Sequence, residues 1–168
     1  MKQGETHLRI LAVDPSRRGF GYALFEGRRR LVEWGTTDIR ADKDRVALQR
    51  IEELIRRYQP MTLVVEDCGH MRSRRNPRVR QLTEQMLALA RSSGIEGCAL
   101  PLPVMYQEFS KKGARTKYDI ALTLTRQFPV LTLRLPPKRR AWQSEDSRMS
   151  IFDAAALGYT YLVRRRRA

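Results

Sequence analysis

The sequence predicts an α/β fold: a mixed sheet, with an antiparallel three-strand meander continued by parallel strands, flanked by helices. Two observations carry this. Three strand-like runs open the chain, Leu8–Val13, Phe20–Phe25 and Leu31–Thr36, and Glu26-Gly27 between the last two reads as a hairpin turn. Helical patterns then alternate with short apolar runs, the arrangement that packs helices on a sheet. The length of 168 residues adds a bound, being about one domain's worth.

Taken in order, Asp44–Tyr58 has Val46, Ala47, Ile51, Leu54 and Ile55 at helical spacing and stops at Tyr58-Gln59-Pro60. Thr62–Val65 is short and wholly apolar, as a strand buried on both faces of a parallel sheet is. Val79–Arg91 is a helix with Leu82, Met86, Leu87 and Ala90 inward. Cys98–Leu102 and Val104–Tyr106 read as strand pieces interrupted by prolines. Thr116–Gln127 reads as a helix, Val130–Arg134 as a short extended piece, and Met149–Val163 as the last helix. Residues 1–163 form one domain in this reading, and residues 164–168 a basic C-terminal tail. Two irregular stretches, 69–77 and 136–147, stand out as functional loops.

The charge balance narrows the function. The chain has 33 Lys+Arg against 18 Asp+Glu, a net charge of +15 and a pI near 10.8. Of the 33 basic residues 27 are Arg, the side chain suited to bidentate phosphate contacts. Such a field attracts polyanions, chiefly nucleic acid or an anionic membrane surface. No apolar run approaches the ~18 residues of a membrane-spanning helix, and Leu8–Val13 is too short for a signal sequence. Cys68 and Cys98 have no zinc-type spacing, and a reduced, cytoplasmic location is expected.

Within this basic chain, three acids fall at telling places. Asp14 ends the first strand, Glu66 ends the fourth, and Asp153 lies early in the last helix, ahead of the small-residue run Ala-Ala-Ala-Leu-Gly. Taken singly, Asp14 before Pro15 reads as turn chemistry, Glu66-Asp67 as the start of a loop, and Asp153 as a first-turn acid. Read together, with strands one and four adjacent and parallel, Asp14 and Glu66 emerge side by side. Carboxylates so placed repel one another, and divalent cations relieve the repulsion. Mg²⁺ takes carboxylate oxygens, keeps waters and accepts phosphate oxygens. Two such ions about 4 Å apart suit phosphodiester hydrolysis.

The segment Asp14-Pro15-Ser16-Arg17-Arg18-Gly19-Phe20-Gly21-Tyr22 resembles the opening motif of the RuvC-type Holliday junction resolvases, in the ribonuclease H-like superfamily. Gln59-Pro60 before Thr62–Glu66 is similar to that family's approach to its second acid, and Ser150–Leu157 to its closing helix. The likeness runs in order from about residue 8 to 163. It implies a ribonuclease H-like fold with Asp14, Glu66 and Asp153 as metal ligands. It further implies a Mg²⁺- or Mn²⁺-dependent endonuclease, with two-ion chemistry, cutting branched DNA as a homodimer.

The chain departs from the family at several points. Ser150 stands where a further acid is common, with Asp146 or Glu145 in the preceding loop as substitutes, and Ser16 replaces a glycine. Cys68-Gly69-His70-Met71 holds no aromatic where the resolvases carry one. Candidate nucleic-acid contacts are Arg72, Arg74, Arg75 and Arg78 beside Glu66, and the resemblance implies Lys111, Lys112 and Lys117 near the scissile phosphate. Lys138, Arg139 and Arg140 join Trp142 in a cation and aromatic grouping that suits an unpaired base. Two other readings stay open, an RNA-processing nuclease of the YqgF type and a silent nucleic-acid-binding module.

Overall fold

The computed structural model describes residues 8–71 and 73–166. Five strands form one sheet: β1 (Arg9–Pro15), β2 (Gly19–Glu26), β3 (Arg30–Asp38), β4 (Thr62–Glu66) and β5 (Glu96–Leu100). Their order is β3-β2-β1-β4-β5. The β3-β2-β1 part is the antiparallel meander, and β1, β4 and β5 run parallel. The mixed sheet expected from the sequence is therefore the one observed.

Two apolar cores sit on its two faces, as the two-residue alternation of strands requires. Leu11, Val13, Leu63 and Val65 face α1 (Lys43–Tyr58) and α2 (Pro77–Ser92). Ile10, Ala12, Phe25 and Val64 face the other way. They meet α3 (Leu102–Ser110), α4 (Lys117–Gln127) and α5 (Met149–Arg165). Among the described residues, no helix is long and apolar enough to cross a membrane.

Local chemistry sets the element ends. Gln59 closes α1 in the left-handed conformation, its N–H donating to the Ile55 carbonyl at 2.8 Å, just before Pro60. Asn76 caps α2 by accepting from the Val79 N–H at 3.0 Å, with Pro77 in the first turn, so this helix starts two residues before the expected Val79. Thr116 is a cap for α4 and forms a reciprocal capping box with Asp119.

Three expectations are corrected. Val104–Tyr106 is helical, because Pro101 and Pro103 begin α3 where their missing N–H groups cost nothing. Residues 130–134 lie in a 3-10 helix, Pro129–Arg134, and not in an extended piece. The last helix runs on to Arg165, so Arg164 and Arg165 belong to α5.

Candidate active site

The β1–β4 register decides the geometry. Ile10 pairs with Thr62, Leu11 with Leu63 and Ala12 with Val64. The same offset carried two residues on sets Asp14 level with Glu66. Both then share the face of Ala12 and Val64, which α5 covers.

α5 comes unusually close to that face. A Cβ on Gly21 of β2 would lie 2.2 Å from the Ser150 carbonyl carbon, and one on Gly158 would lie 2.4 Å from the Phe25 ring. Ala154, Ala155 and Ala156 are buried along the same helix. The small residues let α5 settle onto β1 and β2, and so carry Asp153 to the carboxylates at the strand ends. Asp14, Glu66 and Asp153 line one cavity of about 180 Å³, together with Arg74, Arg75, Tyr106 and Lys117.

Two cationic side chains hold the acids. Arg75 donates from Nη2 to Asp14 Oδ1 at 2.5 Å, from Nε to Glu66 Oε2 at 2.6 Å, and from Nη1 to the Pro15 carbonyl at 3.2 Å. Lys117 Nζ donates to Asp153 Oδ2 at 3.0 Å and to both Glu145 oxygens at 3.1 Å. The Asp14 and Glu66 side chains are 5% and 2% exposed, and the Arg75 side chain 29%, so the acids form the floor and the guanidinium lies nearer the mouth.

Burial sets the proton affinities here. It pushes the Asp14 carboxyl up to about 8, Asp153 adding to the rise while Arg75 and Lys117 oppose it. Burial also raises Asp153, against the pull of Lys117. On Arg75 burial acts downward, but Asp14 and Glu66 outweigh it and hold the guanidinium firmly protonated. Lys117 is held up in the same way by Asp153 and Glu145, against the effect of burial.

The donor chemistry fits hard divalent cations, since every acid present offers oxygen ligands. Among the described residues, no three acids stand together as one metal's ligand set. Arg75 and Lys117 instead supply the positive charge that buried carboxylates require.

The cavity shares Asp14, Arg75, Lys117 and Asp153 with a wider basin of about 1070 Å³. Arg17, Arg18, Lys43 and Arg139 line that basin with Glu145, Asp146 and Ser150. Of the basic residues proposed from sequence, Arg74, Arg75, Lys117 and Arg139 border these spaces. Lys138 lies over the Tyr118 ring at 6.0 Å and Arg140 over exposed Trp142 at 5.5 Å. Lys111 pairs with Glu108 and Lys112 lies over the Tyr159 ring, and neither lines the cavity or the basin. Arg78 pairs with Asp44 and ties α2 to α1. Arg72 lies outside the described residues.

Asp146 pairs with Arg148 at 2.7 Å, and it is Glu145 that Lys117 joins to Asp153. The sequence reading missed Arg17, Arg18 and Lys43 as lining residues, although Arg17-Arg18 follows Asp14 directly. Tyr106 escapes it because Val104–Tyr106 reads as a strand piece in sequence.

No protein-family profile and no curated protein matches the chain. Solved structures do. Thermus thermophilus RuvC is 17% identical with a TM-score of 0.66, covering 95% of this chain and 96% of that one. The same protein in complex with a Holliday junction substrate gives 16% and 0.67, covering 96% and 98%. The yeast mitochondrial Holliday junction resolvase Ydc2 gives 12% and 0.63, covering 93% and 78%. Strand order, helix layers and these likenesses agree: the chain has the ribonuclease H-like fold seen in RuvC-type resolvase structures.

Proposed function

We propose that the chain is a divalent-metal-dependent endonuclease that cuts branched DNA such as four-way junctions. The observation that carries the reading is the convergence of Asp14, Glu66 and Asp153 on one cavity, next to a basin edged by Arg17, Arg18, Lys43 and Arg139.

In this reading Asp14, Glu66 and Asp153 would hold Mg²⁺ or Mn²⁺. The metal would supply Lewis-acid stabilisation of a phosphodiester and an activated water. The chain's own residues do the rest. Arg17, Arg18, Lys43 and Arg139 hold backbone phosphates and set the strand's path over the acids. Lys117, fixed by Asp153 and Glu145, presents its ammonium beside the reacting phosphate. Hydrolysis leaves a 5′ phosphate and a 3′ hydroxyl. The described chain acts as one nuclease domain, and a homodimer goes with the reading because a four-way junction offers two symmetric cutting points.

A second reading, binding without cleavage, has one observation in its favour. Ser150 stands where an acid is common in the resolvases, and its hydroxyl donates to the Ser147 carbonyl at 2.8 Å. Cleavage of labelled four-way junction, linear duplex and structured RNA, in Mg²⁺ and then Mn²⁺, separates the readings. Paired nicks in the junction with wild type, lost in Asp14→Asn, are the expected result. Preferential cutting of RNA moves the substrate class to RNA. Tight binding with no cutting by either protein leaves the binding module.

A further inference from the structure

Arg75 occupies carboxylate oxygens that a metal would need. Its Nη2 lies on Asp14 Oδ1 and its Nε on Glu66 Oε2, so one planar guanidinium spans the two acids from adjacent strands. The backbone behind it is anchored independently. Arg80 of α2 donates to the carbonyls of Arg75 and Ser73, at 3.1 and 3.3 Å, and Asn76 caps α2 one residue on. The long side chain can therefore leave the acids while its own backbone stays put.

We propose that Arg75 is a built-in counter-ion that competes with divalent metal for Asp14 and Glu66, and that a nucleic-acid phosphate is what draws it away. This rests on the endonuclease reading above and deepens it, because it makes metal loading conditional on substrate. The chemistry is an exchange of like for like. The guanidinium leaves two carboxylate oxygens and takes two phosphodiester oxygens, which it also binds in bidentate fashion. The vacated carboxylates take the cation. Neither half is favourable alone: metal entry strands a guanidinium, and phosphate capture strands two buried carboxylates. Metal and nucleic acid then strengthen each other's binding by the same factor, as linkage requires. With the exchange incomplete, the carboxylates stay neutralised in place, and the free protein is kept from cutting nucleic acid it has not engaged.

The test measures Mn²⁺ binding to the full chain from the free-ion paramagnetic resonance signal, without cleavage as a readout. Wild type, Arg75→Gln and Arg75→Lys are titrated alone and with a phosphorothioate four-way junction, with Asp14→Asn defining binding outside the site. Without junction, Arg75→Gln is expected to bind Mn²⁺ at least about tenfold more tightly than wild type, since one positive charge has left two buried acids. Arg75→Lys, which keeps that charge, is expected to stay nearer wild type. Adding junction is expected to tighten Mn²⁺ binding more in wild type than in Arg75→Gln.

Equal Mn²⁺ affinity in wild type and Arg75→Gln, with Asp14→Asn binding none at the site, overturns the competition and leaves the metal site standing. No Asp14-dependent Mn²⁺ binding in any protein, with or without junction, overturns the endonuclease reading itself. An Arg75→Gln chain that folds only when Mn²⁺ is added supports the competition. One that stays unfolded even with Mn²⁺ overturns it, because metal then fails to replace the guanidinium.

Discussion

Gly21→Ala tests whether the close approach of α5 to β2 is what assembles the acids. The added methyl would lie 2.2 Å from the carbonyl carbon of Ser150 and 2.3 Å from its oxygen, where ordinary contact begins near 3.4 Å. Both obstructing atoms are backbone, so no rotamer change relieves the clash. β2 and α5 must part by about 1 Å, and α5 is the helix that carries Asp153. Overpacking of this kind costs about 3 kcal/mol, which for a chain of this size lowers Tm by roughly 6–12 °C. A displacement of about 1 Å at a reacting centre costs on the order of 100-fold in rate. Thermal melting paired with single-turnover cleavage of a four-way junction in Mg²⁺ reads both effects. Gly113→Ala is the control: nothing lies within 4 Å of its added methyl, and its φ of +78° brings a penalty of only about 1–2 kcal/mol. It is expected to keep wild-type cleavage. A Gly21→Ala protein that melts and cuts like wild type would refute the reasoning.

Two further outcomes follow from the site. Asp14 holds its proton up to about 8 in the folded chain against 3.8 for the free side chain, so folding takes up protons over that range. Stability of the metal-free protein therefore falls as pH rises from about 4 toward 8, and Asp153 acts with the same sign. Melts between about pH 5 and pH 8 should show a falling Tm whose slope is shallower in Asp14→Asn, and a flat wild-type profile contradicts this. Trp142 is 77% exposed beside basin residues Gln143 and Glu145, with Arg140 over its ring, so Trp142→Ala should leave Tm unchanged. It should weaken binding of junctions with unpaired bases by about 1–3 kcal/mol, and equal affinities in a gel-shift titration count against a stacking role.

The strand meander and β4 were legible because each carries its own short-range signal. Alternation and the Glu26-Gly27 turn mark β2 and β3, and unbroken apolar character marks β4. The three acids were legible as candidates because each ends or enters such an element. Proline is ambiguous in the sequence. Pro101 and Pro103 looked like strand breakers but start a helix, and Pro129 opens a 3-10 turn. A proline disfavours both a central strand and a helix interior, and only tertiary context decides which boundary it marks. Arg75 was legible as a basic residue near Glu66, but its grip on two acids was not. That grip depends on the tertiary path that brings Arg75 back to the strand ends, which no periodicity encodes.

The same dependence on tertiary context bears on position 150. Gly21 packs against the backbone of Ser150, whose side chain turns back to Ser147. Ser150 borders the basin, but its hydroxyl is spent on the Ser147 carbonyl. The loop before α5 offers another carboxylate. Glu145 is joined through Lys117 to Asp153, whereas its neighbour Asp146 is engaged by Arg148. Lys117 is the first residue of α4, placed there by the Thr116–Asp119 capping box. A helix cap thus fixes a cation, and that cation gathers a loop carboxylate beside the helix carboxylate. Loop and cap thus bring Glu145 to the cation that holds Asp153, while the helix turn before Asp153 carries a serine.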